Sequence, residues 1–181
     1  MKSLKLIAAL GAIALELAGC AHVEAPSVVP EHKTFSSRPP LLEDEAKSRS
    51  RQLSQIHYGL FFGIDGDHQD YEGRAVISFF WKGHSPSKFP LFLDFTGGKI
   101  QSLRINGKFL TDEERAKSFD GFRVRLSEES LVPGTNRIEI AFTHPYQRNT
   151  VGLHRFVDPE DKRVYLYSQA EPYDANRIFP C

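Results

Sequence analysis

The run from residue 56 to residue 81, IHYGLFFGIDGDHQDYEGRAVISFFW, decides the fold class. Its period is two. Ile56, Tyr58, Leu60, Phe62 and Ile64 alternate with smaller or polar residues, and Ala75, Ile77 and Phe79 do the same between Tyr71 and Trp81. Side chains two apart share one face of a strand, so each half of the run presents an apolar face. The Asp65-Gly66-Asp67 break between them reads as a turn. Gly59 and Gly63 weaken the first strand and fit a bulge or a twist there.

The pattern extends towards the C-terminus. Leu91, Leu93 and Phe95 form a third alternating set, stopped by Gly97-Gly98. Ile100, Leu103 and Ile105 run to Asn106-Gly107, a strong hairpin signal because both central residues of a type I′ turn need positive φ. Thr111 with Glu114 three residues on has the form of a capping box, which predicts one helical turn over 111–117. Phe122, Val124 and Leu126 make another strand, and Pro133-Gly134-Thr135-Asn136 turns into Ile138, Ile140 and Phe142. Strands of this length and spacing predict an all-β fold, an antiparallel β-sandwich. Two sheets packed on these faces would bury most of the fourteen Phe, six Tyr and one Trp. The pattern leaves the strand order open.

Charge and motif searches narrow the function classes. Lys+Arg and Asp+Glu both number 23, so nothing electrostatic favours nucleic acid as a partner. The only cysteines are Cys20 and Cys181, too few for a disulfide-stapled scaffold. None of the seven histidines sits in an H-E-x-x-H arrangement, and there is no G-x-S-x-G or P-loop. The stretch from Asp65 to Asp70 looks like a calcium loop but fails as one. Gln69 stands at a ligand position, Asp70 replaces the turn glycine and Val76 replaces the closing glutamate. The expectation is therefore no catalytic residue and no metal site in this chain.

The N-terminus carries an address. Two lysines precede a short apolar stretch over 6–17, too short to span a bilayer, and small residues follow. Leu17-Ala18-Gly19-Cys20 resembles a bacterial lipobox, after which Cys20 becomes the lipidated N-terminus; an ordinary cleaved signal peptide with an incidental cysteine is the alternative. Residues 1–20 are thus expected to be a lipoprotein signal peptide. Residues 21–50, with four prolines by Pro40, are expected to be a flexible tether and lead-in, with a short helix or a frayed strand over 41–55. The folded domain is expected over 51–181. Ala21, rather than Asp, after the cysteine suggests an outer-membrane lipoprotein facing the periplasm; secretion to the periplasm is the alternative.

The last thirty residues, GLHRFVDPEDKRVYLYSQAEPYDANRIFPC over 152–181, carry the most specific signal. Gly152-x-His154-Arg155-Phe156, an acidic turn, Tyr165-x-Tyr167-Ser168-Gln169-x-Glu171-Pro172 and Asp174-Ala175, then Phe179-Pro180-Cys181, resemble the signature of the N-terminal domain of the aminopeptidase N family of zinc metallopeptidases. Upstream, Tyr71-Glu72-Gly73, Leu93-Asp94-Phe95 and Pro133-Gly134-Thr135-Asn136 fit the same family. Asn176 stands where arginine is commoner. The resemblance implies a saddle-like β-sandwich whose last strands lean over a separate catalytic domain. It implies that Gln169 lines the pocket for the first side chain of a peptide and that Glu171 binds its free α-amino group. On spacing alone, Glu171 reads as a solvated strand-end charge and Gln169 as a loop hydrogen-bonder. Ala170 between them puts both on one side of an extended segment. Asp174 and Arg177 are expected to pair, and His154 and Arg155 to pack and hydrogen-bond.

The family's zinc ligands would lie beyond Cys181, so no cofactor is expected in this chain and the chain alone is expected to be inactive. The expected partners are a peptide N-terminus where a catalytic domain is present, a separate catalytic subunit or envelope protein, and the membrane through a lipid on Cys20. The alternative function is a stand-alone, lipid-anchored envelope binding module without peptidase activity.

Overall fold

The computed structural model describes residues 41–83, 89–148 and 151–181. The signal-peptide and lipidation expectation at Cys20 and most of the tether lie outside the described residues. The chain is built from α1 (Glu43–Gln52), β1 (Leu53–Gly63), β2 (Asp70–Trp81), β3 (Phe92–Asp94), β4 (Lys99–Ile105), β5 (Lys108–Phe109), α2 (Asp112–Ser118), β6 (Arg123–Arg125), β7 (Gly134–Pro145), β8 (Gly152–Val157) and β9 (Val164–Gln169). Short 3-10 helices occupy Glu128–Ser130 and Asp174–Arg177. The architecture is the all-β, sandwich-like one that the alternation predicts. A five-stranded antiparallel sheet has the order β1-β2-β7-β4-β5, and two-stranded sheets pair β3 with β6 and β8 with β9.

Alternation becomes burial along β2 and β7. Tyr71, Ala75, Ile77, Phe79 and Trp81 of β2 face the core with Asn136, Ile138, Ile140, Phe142 and His144 of β7. Leu103 and Ile105 of β4 continue that face, and Leu91, Leu93, Phe95, Val124 and Leu126 of the β3–β6 layer close it. Gly73 lies opposite Phe142, and a Cβ there would run into the phenyl ring, so the bare glycine lets the ring lie over the strand. β1 is an edge strand. Tyr58, Leu60 and Phe62 share the core-facing side, yet only Phe62 is well packed, against Tyr71, Phe142 and Phe179. A register shift between Ser54 and His57 accommodates Gln55 at φ 52.

The turn chemistry works as the sequence suggests. Asn106 and Gly107 adopt φ 48 and 87 at the β4–β5 hairpin, and Thr111 and Glu114 form both halves of a capping box at the start of α2. Asp65 Oδ1 accepts the amide of Asp67 at 2.9 Å in the β1–β2 turn. No three His, Cys, Asp or Glu among the described residues come together as metal ligands.

The lead-in expected to be flexible up to residue 50 includes a helix packed on the domain. α1 has Glu43, Asp44 and Glu45 in its first turn and Arg49 and Arg51 in its last, matching the helix dipole. Its hold on the domain is electrostatic. Arg123 of β6 donates from both terminal nitrogens to Glu45, at 2.8 and 3.0 Å, and from Nε to Asp94 of β3 at 3.2 Å. The Phe92 ring lies under two guanidinium groups, Arg123 at 3.9 Å and Arg49 at 4.2 Å from its centroid. Glu45 and Asp94 are both buried. Removing Arg123 takes away the cation that both buried carboxylates share. Arg123→Ala is expected to lower unfolding free energy by about 3 kcal/mol in urea titrations, with α1 losing amide protection first.

Candidate functional site

The residues singled out at the end of the sequence are carried by β9 and the turn after it, so their position depends on how the tail is fastened. Four backbone or side-chain ties do this. The buried Tyr71 hydroxyl donates to the Ile178 carbonyl at 2.7 Å. Asp94 and Cys181 exchange both backbone hydrogen bonds, at 2.7 and 3.0 Å. The Thr96 amide donates to the Asn176 carbonyl at 2.9 Å. Arg155 Nε donates to the Gly66 carbonyl at 2.6 Å, tying β8 to the β1–β2 turn. Burial pushes the Tyr71 hydroxyl well above the usual tyrosine range, so it remains a donor at any physiological pH.

β8 and β9 pair without a register shift from Gly152↔Gln169 to Val157↔Val164. Directly paired residues share a face, so His154 and Tyr167 lie together on one side, with Gly152 and Gln169 next to them. The two rings stack at 4.6 Å with 8° between their planes. His154 is 2% exposed and its Nε2 has no hydrogen-bond partner. Burial holds the imidazole below its ordinary value of 6.5.

Gln169 is the last residue of β9 and is exposed; Glu171 follows in the turn, also exposed. Ala170 between them packs against the core cluster. β9 ends at Gln169 and Glu171 already belongs to the following turn, so both side chains are exposed at the strand end. Neither makes a hydrogen bond or ion pair among the described residues. They stand on an open surface rather than in a cavity. A groove of about 810 Å³ exists elsewhere, between β5, α2 and the 3-10 helix Glu128–Ser130, and does not include them. Arg177 Nε donates to Asp174 Oδ1 at 2.8 Å, the pairing read from the sequence. Asn176, where the family pattern has arginine, is buried and donates to the Tyr173 carbonyl at 2.9 Å. A short amide thus fits beneath the turn.

Residues 54–181 match the family model of the peptidase M1 N-terminal domain. The chain belongs to the M1 peptidase family. Aminopeptidase N of Streptomyces lividans is 30% identical over 142 residues, which is 77% of this chain and 16% of that protein. Native leukotriene A4 hydrolase of Saccharomyces cerevisiae superposes with a TM-score of 0.56 at 18% identity, over 80% of this chain and 23% of the hydrolase chain. At that identity the likeness concerns the fold. The chain thus spans well under a third of the relatives it matches, in the part that forms the M1 N-terminal domain.

The stack on the M1 tail generates a pH dependence. An imidazole held below its unfolded value binds fewer protons folded than unfolded. Its contribution is fully present above about 6.5 and is lost as pH falls below that value. Melting temperature should therefore drop more steeply below pH 6.5 in the wild type than in His154→Phe, which keeps a stacked ring and removes the titration. Equal slopes would rule out this role for His154.

Proposed function

We infer that this chain supplies one wall of an aminopeptidase substrate cleft, with Glu171 as the anchor for a peptide's free α-amino group and Gln169 beside the first side chain. The observation that carries this reading is the pair itself. A carboxylate and a carboxamide stand two residues apart, both exposed at a fastened strand end, with no internal partner among the described residues. A carboxylate free of internal ion pairs is the group that an ammonium requires, and it discriminates against blocked N-termini. Membership of the M1 family and the likeness to an aminopeptidase N support the assignment. The described residues gather no metal-ligand cluster, so no hydrolytic step is assigned to them and the family's zinc has no site among them. Catalysis belongs to a catalytic domain or subunit, and this chain contributes recognition.

The anchor is tested on the full chain by titrating alaninamide and N-acetylalaninamide while following backbone amide shifts. Alaninamide should perturb residues 169–172 and the acetylated compound should not. Glu171→Gln should abolish the difference. Equal perturbation by both compounds would sink the amine-anchor role.

The second part of the proposal concerns place. The lipobox-like Leu17-Ala18-Gly19-Cys20 supports anchoring through a lipid on Cys20 in a bacterial envelope, with residues from 21 onward as a spacer. Mass spectrometry of membrane-extracted protein should find an N-terminus at Cys20 carrying acyl chains. Cys20→Ser should leave the precursor uncleaved, and processing elsewhere would favour an ordinary signal peptide.

A further inference from the structure

Gln169 ends a row of aromatic side chains. On one face of the β8–β9 ribbon, Phe156 pairs with Tyr165, His154 with Tyr167, and Gly152 with Gln169; the β9 members and Phe156 are exposed, while His154 and Gly152 are buried. The two tyrosines are engaged differently. The Tyr165 hydroxyl donates to Asp161 Oδ2 at 3.1 Å and is committed to the hairpin's own turn. The Tyr167 hydroxyl has no partner among the described residues, and the residue is 55% exposed. One face of its ring is held flat against the buried His154 imidazole; the other is open. The imidazole offers a buried Nε2 that no protein group satisfies, so it is cover for Tyr167 rather than part of a hydrogen-bond network. A ring already fixed in this way gives up little conformational freedom when a ligand lies on it. Strand geometry sets Tyr167 about 7 Å from Gln169 on the same face, within reach of any side chain that touches Gln169.

We propose that Tyr167 determines specificity in the substrate cleft. With a peptide amine at Glu171 and its first side chain against Gln169, the open face of the Tyr167 ring takes that side chain and selects aromatic first residues over small ones. The proposal rests on the amine-anchor reading of Glu171. It adds an aromatic platform, pinned from behind by His154, as the feature that sorts substrates. Offset ring contacts of this kind favour an aromatic ligand by about fivefold over one that lacks a ring.

Phenylalaninamide and alaninamide are titrated into the full chain, with N-acetylphenylalaninamide as the blocked control, and amide and aromatic proton shifts are followed. The expected result is about fivefold tighter binding of phenylalaninamide than of alaninamide, with ring-current shifts at Tyr167 and His154. Tyr167→Ala should reduce that ratio to near one while alaninamide binds as before; Tyr167→Phe should preserve it. Phe109→Ala, on an exposed aromatic outside this ribbon, should change nothing and shows that the ratio is not a general surface effect. If alaninamide and phenylalaninamide bind equally and both need a free amine, the anchor stands and the Tyr167 proposal is overturned. If Tyr167→Ala is folded by its amide dispersion and keeps the preference, the proposal is likewise overturned. If the acetylated compound binds as well as the free amine, the anchor reading itself fails and the proposal falls with it.

Discussion

From Asp70↔Pro145 to Trp81↔Gly134, β2 and β7 pair over twelve residues without a register shift. A slip of one residue would turn every inward side chain outward, so this ladder tolerates one alignment only. Gly73 beneath Phe142 reinforces it, because no other residue in β2 leaves room for that ring. One end of the ladder also fastens the C-terminal tail. Its start places Tyr71 so that the hydroxyl meets the Ile178 carbonyl, and its other strand places His144 Nε2 2.8 Å from the Thr96 carbonyl. The Thr96 amide in turn donates to the Asn176 carbonyl at 2.9 Å. The tail is thus located through two buried aromatic residues at one end of the central strand pair.

The second layer is held by different physics. β3 and β6 are three residues each and too short to be stable as an isolated pair. Their apolar side chains close the core, while Asp94 of β3 meets Arg123 of β6. Burying a carboxylate is costly unless it is paired, and here one guanidinium satisfies two of them. This arrangement recruits α1 although the helix has almost no apolar face of its own. The consequence is positional: Asp94 sits in this cluster by its side chain and holds Cys181 by its backbone. Helix, second layer and tail end therefore share one residue.

Local chemistry was legible in the sequence wherever it was self-contained. Alternation located the strands, Asn106-Gly107 the hairpin, and Thr111 with Glu114 the capped turn. The Asp174–Arg177 pairing at the end of the tail was likewise legible from their spacing. What could not be read depends on pairing across the chain. Nothing local in residues 56–64 says that β1 is an edge strand with Tyr58 and Leu60 half-covered. The helical form of α1 was one of two readings, and its anchor, Arg123, is 78 residues from Glu45. At the site, His154 was read as packing and hydrogen-bonding; it packs against Tyr167, but its buried Nε2 has no hydrogen-bond partner, because the stacked ring covers it. Its partner Tyr167 emerged only once the β8–β9 register was known, since the turn between them does not set which residues face each other.

If this chain recognises an amine as proposed, exposure accounts for a division between recognition and catalysis. The attraction between a carboxylate and an ammonium is roughly four times stronger at an effective dielectric of 20 than in bulk water. Glu171 is exposed to water, so in the proposed role it would by itself hold an amine loosely and reversibly. Ala170 packs on the core and its carbonyl accepts the Asp174 amide at 2.9 Å, which holds the backbone beside Glu171; the side chain itself would still be ordered when a second surface closes over it and excludes solvent. A rigid donor of position on one body and a desolvating, reactive wall on another is therefore a consistent division of labour. On the proposed role, an amine would be met at the surface first and held tightly only once the cleft is dry.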